Sequence, residues 1–490
     1  MTAAPAYLPT LPDRPPWPLW QRVAFRYLLL HWLLYALPGP FANLISTLGF
    51  WLRRAETWWN GHDSWSHVDL TTWLSDVDDW FDVVDEFWKE TTTRVAPYLN
   101  DWGLELTVIH QRTGSGDTAH AWLQFGCIVV AALLLTVVWS LLDWRRSGHP
   151  VLWRWLHLGA RWWLAFAMLS YGLIKFYSGQ FREPSLQQLT RELGDKSPMG
   201  MVWTFFGVSK PYEVFGGICE TLGGLLLFHR RTALLGALVT FATMVNVCAL
   251  NWLYDVPVKL YSTQLLLTAV FLLAPWRERL WALLVSNRPS RPVDIAVTHS
   301  AWLGWPLAIV GWLWVGGDLV QAHLQHMAIV ERNYGEGGPL QKPELHGLWE
   351  VEEMKLDGEP VSRRDPSRWR CFAIDRGRRA WSRSYLGQVH SWQYAEDLTA
   401  GTITLTPSTR PGSEPPPPVT WTIERGSKTV AVLDPAPASM DDLSRKVDAE
   451  RATLVLRGEF EGKTIELTTA RKELDLWRGF HWVQELPYNR

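Results

Sequence analysis

The stretch Ala121–Leu142, AWLQFGCIVVAALLLTVVWSLL, contains no formally charged side chain. As a helix rising 1.5 Å per residue it would be about 33 Å long, enough to cross a hydrocarbon core of about 30 Å. Working outward, similar apolar runs occupy 155–177, 212–228, 232–253, 258–275 and about 301–320. A further run begins near Val23 and is interrupted by Pro38-Gly39-Pro40, after which Phe41–Leu52 reads as a kinked continuation or an interfacial helix. These runs predict an α-helical polytopic membrane bundle of about seven spans. From about Leu340 the apolar period changes from 3.6 to 2, so a small all-β barrel or sandwich is expected to follow the bundle.

Arginine supplies a test of orientation. Arg14, Arg22 and Arg26 flank the first run, Arg145, Arg146 and Arg154 lie between the second and third, and Arg230-Arg231 between the fourth and fifth. Arg277, Arg279, Arg288 and Arg291 lie between the sixth and seventh, whereas residues 53–118 hold five basic and thirteen acidic side chains. The positive-inside rule then puts the N-terminus in the cytoplasm, the segment 54–118 outside, and the β domain, 338–490, outside a bacterial inner membrane. Residues 1–20 read as a retained Pro-rich cytoplasmic tail, 21–53 as the first span with its interfacial helix, and 119–330 as the main bundle. An amphipathic helix is expected near Leu70–Glu90, where Trp73, Val77, Trp80, Phe81, Val84, Phe87 and Trp88 recur at helical spacing. The chain's 33 tryptophans fit the wet–apolar boundary of a bilayer. A net charge of −2 gives no long-range attraction to nucleic acid. Cys127, Cys219, Cys248 and Cys371 are scattered, with no CxxC and no metal-ligand spacing.

An ionisable side chain inside a span costs roughly 2.5–3.5 kcal/mol on insertion scales, which makes each a candidate for function. Lys175 closes the third run, and Glu220 lies eight residues into the fourth, too short to reach an interface. Asp255 and Lys259 bracket the turn between the fifth and sixth. With the predicted orientation, Lys175, Glu220, Asn246, Asn251, Tyr254, Asp255, Lys259, Tyr261, Gln264 and Asp117 all fall at the outer level, where a polar pocket is expected. Lys175 and Glu220 are its expected catalytic pair, and the others would contact the ligand. Each has a plainer reading too: Lys175–Glu220 as a register-fixing ion pair, Asp255 as a turn residue, Asp117 or Thr118 as a helix N-cap.

Tyr171-Gly172-Leu173-Ile174-Lys175-Phe176, then Glu220-Thr221-Leu222-Gly223-Gly224-Leu225-Leu226-Leu227-Phe228 and Arg230-Arg231-Thr232, resemble the DoxX family over about residues 155–280. That resemblance implies a membrane redox process, a quinone-type lipophilic ligand and a redox partner subunit, with no covalently bound cofactor. Gly172-Leu173-Ile174-Lys175 is also similar to the Gly-x-Lys-Lys-Leu of the vitamin K-dependent carboxylase (HTTM) membrane domain, which would make Lys175 a base toward a hydroquinone. Gly347-Leu348-Trp349 resembles the Gly-x-Trp that opens lipocalin-like barrels, which implies that Arg471 or Arg478 packs on Trp349. A lipocalin-like outer domain implies in turn a non-enzymatic alternative, a lipid- or partner-binding assembly protein.

Overall fold

The computed structural model describes residues 17–36, 45, 47–52, 54–55, 72–111, 113–177, 179–290, 293, 295, 301–335, 338–408, 417–433 and 446–474. The expected Pro38-Gly39-Pro40 break and Arg478 lie outside them. The helices are α1 (Leu19–Tyr35), α2 (Thr72–Asn100), α3 (Ala119–Leu142), α4 (Pro150–Phe176), α5 (Leu186–Leu189) and α6 (Pro198–Val208). They continue with α7 (Lys210–Phe228), α8 (Ala233–Leu253), α9 (Lys259–Leu273), α10 (Arg277–Leu284) and α11 (Ala301–Tyr334). Two compact units form: Met1–Gln180 with Pro211–His326, and Phe181–Lys210 with Met327–Arg490.

The expected seven-span bundle is not what forms. Among the described residues only α3 and α8 are long and apolar enough to cross a membrane. The other runs fail for visible reasons. α4 carries Arg154, Arg161 and Lys175, α7 carries Glu213 and Glu220, and α9 has only 15 residues. Burial in protein accounts for much of their apolar character, since a helix apolar on most sides is either a span or a core helix. α4 is the core helix here: Leu164, Ala165, Met168 and Leu169 on it are almost fully buried, against Leu227, Ala237, Leu265, Ala269 and Leu272 of its neighbours. α3 is the opposite case, with Leu134 63% and Leu142 81% exposed. α2 runs ten residues past the amphipathic stretch read from the sequence, and Thr92 on it bonds His120 of α3 across 2.8 Å.

In the second unit nine strands among the described residues make one antiparallel sheet: β1 (Gly347–Leu356), β2 (Glu359–Pro360), β3 (Trp369–Asp375), β4 (Arg379–Ser384), β5 (Val389–Asp397), β6 (Thr402–Pro407), β7 (Val419–Leu433), β8 (Lys446–Phe460) and β9 (Lys463–Lys472). β1 pairs with both β3 and β9, which closes an eight-stranded barrel and leaves β2 as a short extension of β1. Closure removes the exposed sheet edge that an open sheet would present. Asp357-Gly358 and Glu461-Gly462 turn with positive φ at both residues, as tight hairpins need. Arg425-Gly426, read from sequence as a turn, lies instead inside β7, where Gly426 pairs with Thr453. Alternate inward residues fill the barrel with Trp369, Phe372, Trp392, Trp421, Leu456 and Leu467, so its interior is a packed core.

The connection between α4 and α7 belongs to this second unit. Ser185 and Gln188 form a reciprocal capping box that starts the single turn α5. Leu186 of α5 joins Leu348, Cys371, Ala373 and Trp381 in a cluster on the outside of β1, β3 and β4. The Leu186 N–H donates to Asp375 Oδ2 at 2.8 Å, Arg376 pairs with Glu183 at 3.0 Å, and Arg383 donates to the Thr190 carbonyl at 2.7 Å. The barrel unit is therefore built from two separated pieces of chain.

Candidate functional site

Glycine decides how closely α4 and α7 approach. A Cβ at Gly172 would lie 2.2 Å from Thr221 Oγ1, and one at Gly217 would lie 2.8 Å from the Gly172 carbonyl oxygen. Lys175 and Glu220 each stand three residues beyond one of these glycines and so share its helix face. The contact brings the Lys175 ammonium to 2.5 Å from Glu220 Oε2, with the two residues only 6% and 3% exposed. On its other flank α7 meets α8 through Gly223 and Gly236. Two helices that carry opposite charges thus meet with backbone nearly touching.

Tyrosines continue from this pair. Lys175 lies 5.9 Å from the Tyr171 ring centre and also donates to the Tyr171 carbonyl. Tyr171 stands 6.1 Å from Tyr261, Tyr261 6.1 Å from Trp163, and Trp163 6.2 Å from Tyr35. Tyr35 stacks on His31, which lies beside Gln264. Tyr171, Tyr35 and His31 were missed from sequence. Tyr171 had a usable signal, since it precedes Lys175 by four residues and so faces the same way.

The remaining candidates form a second group at the start of α9. Asp117 accepts the backbone N–H groups of Lys259 at 2.8 Å and Leu260 at 3.0 Å, and so caps that helix from a distant loop. Thr118 caps its own helix α3. Lys259 Nζ reaches Asp255 at 2.7 Å and Asp117 at 3.7 Å. Asp255 holds positive φ in the α8–α9 turn, and buried Asn251 accepts the Val256 N–H there. Tyr261 joins the two groups, because it sits one half-turn beyond Lys259 and faces Tyr171. Asn246 and Tyr254 are exposed and belong to neither group. Among the described residues no set of three His, Cys, Asp or Glu is placed to hold a metal ion.

In the barrel, Arg471 stands opposite Trp349 across β9 and β1. A Cβ at Gly347 would meet Arg471 Nε at 3.2 Å and Trp349 Nε1 at 3.6 Å, so the glycine leaves room for the guanidinium beside the indole. Trp349 itself donates to the Leu345 carbonyl. The closed barrel is consistent with a lipocalin-like domain.

Fold and site together define a two-unit protein, a helical unit with a buried Lys–Glu pair joined to a closed β-barrel. The chain is 39% identical over 118 residues to the uncharacterized protein YwoB of Bacillus subtilis (strain 168), a match covering 24% of this chain and 72% of that protein. It belongs to the same family as YwoB. No family profile matches the chain, and no solved structure matches it either.

Proposed function

We propose that this is a DoxX-like protein of the bacterial inner membrane that holds a lipophilic, quinone-type molecule beside Lys175 and Glu220, as one part of a membrane redox process. The observation that carries the reading is the 2.5 Å ion pair between two glycine-faced helices, with phenols adjoining it. An ammonium can bond a quinone oxygen or its anion, and a neighbouring carboxylate can accept the proton that a hydroquinone releases. Lys175 is then the base or anion partner and Glu220 its counter-charge, with Tyr171 and Tyr261 as the adjoining hydrogen-bonding groups. Electrons would pass to a redox partner subunit. Embedding in a bilayer is supported by α3, whose outward apolar surface would be costly in water.

A second reading is favoured by a specific observation. The Lys175–Glu220 contact is direct, and Asp117 is engaged in capping α9, as a register-fixing role in a non-enzymatic assembly protein would require.

Lys175→Met and Glu220→Gln separate the two. Each full-length variant is purified in detergent, scored for folded yield, and extracted with solvent for quinone by redox-difference absorbance. Quinone in the wild type, with both variants folded but empty, is the expected result. No quinone in the wild type together with unfolding of both variants gives the structural reading instead.

A further inference from the structure

Four lysine or arginine residues are buried among the described residues, and three of them meet an acceptor. Arg26 donates to the Asp143 carbonyl at 2.7 Å and stands 3.5 Å from the Asp143 carboxylate. Arg368 donates to the carbonyls of Val361 and Glu352, and Lys175 pairs with Glu220. The fourth is Arg161 on α4. It is 6% exposed, its Nε is shut away from solvent, and among the described residues it has neither a hydrogen bond nor an ion pair.

Its own helix face offers nothing in compensation. One turn earlier, His157 donates from Nε2 to the Leu272 carbonyl at 3.3 Å. One turn later, Leu164 and Ala165 are fully buried apolar side chains. Arg161 stands roughly 16 Å from the start of α4 and roughly 22 Å from its end, beyond the reach of a snorkelling side chain. Glu220 is held by Lys175, about 21 Å farther along α4.

A guanidinium does not lose its proton near neutral pH, so burial cannot neutralise it as it would a lysine. An unpaired charge in an apolar core is costly, and a buried polar atom without a partner marks the place of a water or an ion. A water would satisfy the N–H groups and leave the charge; an anion answers both. The close packing of Leu164 and Ala165 restricts the occupant to a few atoms, and one guanidinium balances one negative charge.

We propose that Arg161 is the centre of a buried site for a small monovalent anion, of the size of chloride or nitrate. The site is independent of the quinone reading, and neither stands or falls with the other.

The test moves the full-length protein, in neutral maltoside detergent, from sodium gluconate to sodium chloride or sodium nitrate at constant ionic strength. Thermal unfolding is followed by tryptophan fluorescence. Either anion should raise the midpoint saturably by roughly 2–4 °C, because a ligand of the folded state stabilises it by mass action. Arg161→Met strands no partner and should lose the rise, whereas Arg279→Gln, at an exposed position, should keep it. Chloride-35 NMR reads the wild type directly, as line broadening that nitrate reverses. Arg161→Lys keeps the charge without the planar fork, so nitrate should displace chloride from it less well than from the wild type. That variant decides the matter should Arg161→Met not fold. No rise or no reversible broadening in the wild type, an undiminished rise in Arg161→Met, or an unchanged nitrate preference in Arg161→Lys overturns the proposal.

Discussion

A methyl group at position 217 would lie 2.8 Å from the Gly172 carbonyl oxygen, whereas one at position 216 would lie 3.8 Å from Lys175 Cδ. The first is a clash with backbone and the second an ordinary contact. Gly217→Ala should therefore cost about 1–3 kcal/mol and separate Lys175 from Glu220, whereas Gly216→Ala should be neutral or slightly stabilising through helix propensity. Thermal unfolding of the two purified variants checks the difference. Asp117→Ala removes the acceptor of two α9 N–H groups and should cost about 0.5–2 kcal/mol by the same measurement. The charges at 175 and 220 were legible from sequence because ionisable residues stand out in apolar runs. The role of Asp117 was not, since its partners lie more than 140 positions away and capping across that distance leaves no local pattern.

For whole elements the same distinction decides what could be read. The β hairpins were legible from alternation and turn residues, because both signals are local. Arg425-Gly426 misled, because a glycine inside a strand carries the same composition as one in a turn. Spans were over-read because an apolar helix packed in protein and one exposed along its length share a pattern, and only the exposure of α3 beside the burial of α4 separates them. The docking of α5 was illegible for lack of any repeat linking Leu186 to Cys371. That docking is pH-sensitive. Burial pushes the Asp375 carboxyl up, but bonds from His346 and the N–H groups of Arg376 and Leu186 outweigh it and hold the carboxyl below its usual 3.8. A carboxyl with a depressed folded value stabilises above its unfolded value, and loses that contribution as pH falls from about 3.8 through the lower folded one. Asp375→Asn should remove this acid-sensitive part, which shows as a flatter dependence of barrel unfolding on pH between about 5 and 2.

Taken as a whole molecule, the chain makes its barrel unit from 181–210 and from residues after 327, with the helical elements α7–α10 between them in sequence. The barrel strands expressed alone would leave Cys371, Ala373 and Trp381 without the cover of Leu186. A fragment beginning near residue 338 should therefore aggregate more readily than one supplied with a 181–210 peptide, as light scattering would report.

The two-piece barrel also sets a timetable for biosynthesis. Leu186, Glu183 and Thr190 emerge from the ribosome long before Asp375, Arg376 and Arg383, which respectively hold them, have been translated. At roughly 5–20 residues per second that interval lasts on the order of ten to forty seconds. Throughout it Leu186 has no strand to rest on. A nascent chain of this kind must be kept from associating until the late strands arrive, so codon changes that slow translation between 210 and 370 would lengthen its most vulnerable period.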